Sequence, residues 1–111
     1  MPTELVLLSD EPLTTEMVLQ AARPVMPEAR FVAYRGGEIG QFIDTEGVGV
    51  LSVFSSRPVA LTREAALALH DPPAQFSVWT DLSIPWGDTT AGRQLATAIA
   101  DAVGGTVHER R

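Results

Sequence analysis

The chain contains no cysteine and no lysine. The missing thiols exclude a disulfide scaffold, a thiolate zinc site and a cysteine nucleophile. The missing lysine excludes a phosphate loop closed by Gly-Lys-Ser/Thr and leaves arginine to supply all eight basic side chains. Such one-sided usage is most simply a coding bias; the functional alternative is a need for planar forks that grip carboxylate or phosphate. Long apolar runs are missing too. The run Leu5–Leu8 is preceded by Glu4, with no basic segment before it, and ends at Ser9-Asp10. It is too short for a membrane span or a signal-peptide core, so a cytoplasmic location is expected. Positive charge is scarce: 14 acidic groups against 8 basic ones give a net charge of −6 and a pI near 4.7. That balance argues against general nucleic-acid binding, which needs basic charge to release counterions, and against anionic membrane surfaces. It favours small molecules or a basic protein partner reached by electrostatic steering.

What is present suits one α+β domain over residues 1–111, with 45% hydrophobic residues available for a core. Leu5–Leu8 reads as a strand buried on both faces. Thr14 or Thr15 can cap a helix whose inner face is Val18, Ala21, Ala22 and Val25, with Pro24 and Pro27 at its end. Arg30–Arg35 is a strand, Gly36-Gly37 a hairpin turn, Ile39–Thr45 the returning strand, Glu46-Gly47 a second turn and Val48–Ser55 a third strand. A second helix is expected from Thr62, with Ala65, Ala66 and Leu69 inward, ending before Asp71-Pro72-Pro73. Phe76, Val78 and Trp79 mark another strand. The last helix starts at Asp88, Thr89 or Thr90, turns Leu95, Ala98, Ile99 and Ala102 inward and Arg93, Gln94, Thr97 and Asp101 outward, and stops at Gly104. Thr106–His108 can add a short edge strand. The order implies a largely antiparallel sheet with helices on one face, in a ferredoxin-like or related split β-α-β sandwich.

Chemistry-bearing motifs are sparse. The glycines of Gly36–Gly40 and Gly47–Gly49 sit between strands rather than opening a helix, which suits hairpins and not phosphate binding. His70 and His108 belong to no metal-ligand spacing, and no serine lies in a nucleophile elbow. The carboxylates offer one cluster. Asp81 and Asp88 flank the turn Leu82–Gly87, and Asp44 and Glu46 sit at another; turn chemistry and helix capping account for such residues equally well. Trp86, between Pro85 and Gly87, is the aromatic most apt for exposure, whereas Trp79 belongs in the core.

The tail SVWTDLSIPWGDTTAGRQLATAIADAVGGTVHE, Ser77 to Glu109, resembles the C-terminal end of small immunity proteins from bacterial polymorphic-toxin and contact-dependent inhibition systems. These often close with an aromatic strand, a short helix and a Gly-Gly-apolar return. The resemblance implies a compact acidic protein without catalysis that occludes a toxin domain. No cofactor or metal is implied.

The leading expectation is thus a non-enzymatic protein-binding domain. Trp86 would be its anchor, Asp81 and Asp88 its steering charges, and Asp44 and Glu46 a secondary patch. A second reading is a ligand-binding or enzymatic domain in which Arg35, Arg57 and His70 hold an anion. A third is a structural subunit that dimerises through the strand Val48–Ser55.

Overall fold

A computed structural model describes residues 2–59, 69, 76–85 and 87–110. Their architecture is α+β. Strands β1 (Thr3–Ser9), β2 (Arg30–Tyr34), β3 (Ile39–Ile43), β4 (Gly49–Pro58), β5 (Val78–Ile84) and β6 (Thr106–Glu109) form one sheet in the order β2-β3-β4-β5-β1-β6. Every neighbouring pair is antiparallel. Helices α1 (Thr15–Ala22) and α2 (Thr90–Val103) cover one face.

β5 and β6 are both antiparallel to β1, which lies between them, so they run parallel to each other and are joined through α2. That is the split β-α-β unit expected from the element order. It is carried on a six-stranded sheet, wider than the four strands of a ferredoxin-like unit.

Alternation along the strands sorts side chains between two cores. On the helix side, Leu5, Leu7, Phe42, Leu51, Val53, Leu82 and Ile84 pack against Val18, Ala21 and Ala22 of α1 and Leu95, Ala96, Ile99 and Ala100 of α2. On the other side, Val6, Leu8 and Trp79 pack with Leu69 and Phe76. Leu5–Leu8 is therefore buried on both faces, each residue at most 1% exposed. Val78 and Trp79 are both buried for the same reason.

Local chemistry sets the element ends. Thr14 caps α1, its hydroxyl accepting from the Met17 N–H. Gly104 ends α2 in the left-handed region, φ 70°, with its N–H bonded back to Ala100 and Asp101.

Three expectations need correction. β4 is not an edge: it lies between β3 and β5, so dimerisation through Val48–Ser55 has no free strand to use. The inner stripe of α2 holds Ala96 and Ala100 with Leu95 and Ile99, while Ala102 is exposed and Ala98 only half-buried. Both stripes share Leu95 and Ile99, and alanines alone do not choose between them; contact with the sheet does. The turn expected over Leu82–Gly87 starts later, because β5 continues to Ile84 with Leu82 and Ile84 buried against the helices. The second helix expected from Thr62 falls outside the described residues, apart from the buried Leu69.

Gly92 allows α2 to lie close against the sheet. A Cβ there would stand 2.7 Å from the Val50 carbonyl oxygen and 2.9 Å from Ile84 Cγ1. Gly92→Ala should therefore destabilise the fold by about 1–3 kcal/mol despite alanine's better helix propensity. A lowered denaturant midpoint at unchanged m-value checks this.

Candidate functional site

The acidic residues singled out in the sequence fall in two places. Asp44 and Glu46 belong to the β3–β4 turn. Asp44 Oδ1 accepts from the Glu46 and Val48 N–H groups, both at 2.9 Å, and Gly47 takes φ 81°. Asp88 follows β5 and precedes α2, where its Oδ1 accepts from the Thr90 N–H at 2.9 Å. The two connections lie at the same end of the sheet: β4 begins where β5 finishes, and a Cβ on Gly49 would stand 3.4 Å from the Pro85 ring. Glu46 and Asp88 are exposed and Asp44 is half-buried. Topology thus brings Asp44, Glu46 and Asp88 to one rim. Trp86 lies outside the described residues.

Asp81 stands elsewhere, on the sheet face opposite the helices. Its Oδ1 accepts from the indole N–H of buried Trp79 at 2.9 Å. Arg110 approaches the same oxygen at 3.3 Å and Arg57 approaches Oδ2 at 3.5 Å. Both guanidinium groups also lie over the Trp79 ring, 5.2 Å (Arg57) and 5.8 Å (Arg110) from its centroid. Two cations offset this carboxylate, so Asp81 is a structural acceptor in an aromatic–arginine cluster rather than an open steering charge. The sequence did carry a signal for it: Trp79 and Asp81 are two apart on a strand and so share a face. Arg110, arriving from beyond β6, had no such local signal.

The anion-binding trio is not assembled among the described residues. Arg57 belongs to the Trp79 cluster, Arg35 sits in the β2–β3 turn, and His70 lies outside the described residues. A cleft of about 310 Å³ opens between the start of α1 and the ends of β2, β3 and β4, lined by Thr14, Val18, Phe31, Glu38, Val53 and Ser56 among others; neither arginine lines it. His108 meets the Thr106 hydroxyl at 2.7 Å on β6.

Among the described residues, no group of three or more His, Cys, Asp or Glu is placed to hold a metal ion, and no helix is long and apolar enough to cross a membrane. No family model matches the chain, and no curated protein sequence matches it.

Two outcomes test these assignments. Asp81→Ala removes the acceptor from a buried indole N–H and should cost about 1–3 kcal/mol of stability, with Asp81→Asn costing less because it keeps an oxygen; urea unfolding of both variants decides. At Asp88, the Thr90 N–H and then its hydroxyl hold the carboxyl below its usual range. A depressed folded-state pKa adds stability above the unfolded value, and that stability is lost as pH falls through the folded one. Asp88→Ala should therefore lower the unfolding midpoint at neutral pH, and the gap to wild type should close under acid conditions below the carboxylate range.

Proposed function

We propose that this chain is a non-enzymatic protein-binding domain, an immunity-type inhibitor of bacterial origin that acts in the cytoplasm and occludes a cognate basic toxin domain. The observation that carries this reading is the acidic rim at which the β3–β4 turn and the β5–α2 connection meet. Asp44 and Asp88 are oriented there by backbone N–H groups, with Glu46 exposed beside them. Carboxylates held this way lose little entropy on binding and present an array of negative charge, which is the form of a phosphate mimic. The net charge of −6 extends the attraction and accelerates encounter with a basic surface. Trp86, between Pro85 and Gly87 in the same connection, is the natural anchor residue. Asp81, neutralised by Arg57 and Arg110, supports the fold and is left out of the contact set.

The test uses the tagged protein as bait in lysate of its source cells, beside a variant carrying Asp44→Asn, Glu46→Gln and Asp88→Asn. These changes keep hydrogen-bond acceptors and remove charge. The expected result is one stoichiometric basic protein, released by salt and much reduced on the variant. Equal retention on both baits would remove the acidic rim as the site. No protein retained even at low salt would remove the inhibitor reading itself.

A further inference from the structure

The sheet has two edges, and they differ. The chain leaving β6 is already engaged, with an antiparallel bridge between Arg110 and Leu69. Among the described residues, β2 forms the opposite edge, and β3 is its one partner strand. Arg30, Ala33 and Tyr34 of β2 are exposed, and Val32 is half-buried. One flank of this edge is apolar and the other mixed. On the open face, Tyr34, Ile39 and Phe54 form one cross-strand row, with Tyr34 45% and Phe54 36% exposed. On the helix face, Phe31 and Ala33 of β2 line the cleft of about 310 Å³ together with polar Thr14, Glu38, Ser55 and Ser56.

We propose that β2 is a self-association edge, and that its partner is β2 of a second copy of this chain in an isologous antiparallel pair centred on Val32. Two constraints fix the register, and a third favours a second copy as the partner. Paired residues in an antiparallel ladder share a face, so the two-fold axis must pass through a residue of β2 and not between two. Of the residues available, Val32 alone brings all five positions of β2 into register. With that centre, charge and size are complementary. Arg30 faces Tyr34 of the second copy, a cation against an aromatic face, and small Ala33 comes opposite Phe31 without a clash. Just outside the strand, Glu28 approaches the end that carries Arg35 of the second copy, and the two-fold repeats each contact. The Phe31 ring leaves the edge clear, because it folds inward over Gly40, where a Cβ would stand 2.0 Å from its Cζ.

A five-residue edge with one apolar flank makes a modest interface, so the dimer should be concentration-dependent. It is independent of the acidic rim, which belongs to the β3–β4 and β5–α2 connections.

The absence of cysteine makes the test direct. Val32→Cys places one thiol on the two-fold axis, where opposed Cβ atoms come close enough for a disulfide. Mild oxidation should cross-link it far faster than Gln94→Cys, a control on the exposed face of α2. Light scattering on the wild type should show mass rising from monomer to dimer with concentration. Val32→Lys should abolish that rise at unchanged far-UV circular dichroism, by placing a charge on the edge. A wild type that stays monomeric at its highest workable concentration would overturn the proposal. So would a dimer in which Val32→Cys cross-links no faster than Gln94→Cys; that comparison stands even if Val32→Lys fails to fold. Capture of a basic protein by the acidic rim should be unchanged in Val32→Lys, so failure of either reading is separable from failure of the other.

Discussion

The structure depends on a strand with water on neither side. Leu5, Val6, Leu7 and Leu8 are consecutive, and each is at most 1% exposed. Alternation sends Leu5 and Leu7 to one face and Val6 and Leu8 to the other, so no single layer can cover them. Burying each is worth about 1.5–3 kcal/mol, a total that matches the whole net stability of a domain this size. The sheet must then be covered on both faces wherever it passes β1. The helices do this on one side. On the other side Trp79, Leu69 and Phe76 do it, with Arg57 and Arg110 laid across the indole.

That second covering explains why Asp81 sits where it does. A buried indole N–H needs an acceptor, and the nearest same-face position on its own strand is two residues on. A carboxylate placed there needs its own compensation, which Arg57 brings from β4 and Arg110 from beyond β6. Each ion pair is long and solvent-exposed, and alone would contribute little. Together they tie β4, β5 and the end of the chain across the face that has no helix described over it. The cluster resembles a charged site when viewed as sequence, yet its charges are directed at one another.

The parts legible in the sequence were those set by local chemistry. Apolar alternation located the strands, Thr14 and Gly104 marked helix ends, and the turn glycines Gly36 and Gly47 adopt the positive φ that suits them. Asp88 bonds the first N–H of α2 from one residue before its N-cap, Thr89, and turn bonding accounts for Asp44. Legibility failed where a residue's role depends on a partner distant in the chain. The place of β4 inside the sheet rests on its pairing with β5, and its own sequence, as apolar as an edge strand can be, gives no sign of a second neighbour. The inner stripe of α2 is not legible in sequence because alanines fit either side of Leu95 and Ile99. Ser83 and Pro85 look like loop chemistry and start the expected turn at Leu82, whereas burial of Leu82 and Ile84 carries the strand onward. Convergence of the two acidic connections follows from strand order alone.

The same strand order divides the sheet into unequal halves. Around β1 and β5 both faces are closed, and the polar groups there are internally paired, as with the Ser56 and Thr80 hydroxyls at 2.7 Å. Towards β2 the helices cover one face, and the other carries the row Tyr34, Ile39 and Phe54. The three exposed large apolar residues among those described, Tyr34, Val48 and Phe54, all belong to this half. Exposed apolar groups that lie scattered need no explanation, but Tyr34 and Phe54 are joined through Ile39 in one line that runs to an edge with no further partner strand among the described residues. A strand edge costs nothing in water, because water satisfies its backbone groups; it becomes adhesive only when flanking apolar surface is removed from water as the strand pairs. The β2 edge has such surface along its open face, while the acidic rim sets its charges around exposed Val48. The two regions therefore suit different contacts: one short-ranged and apolar, fit for its own copy, and one long-ranged and electrostatic, fit for a partner of opposite sign.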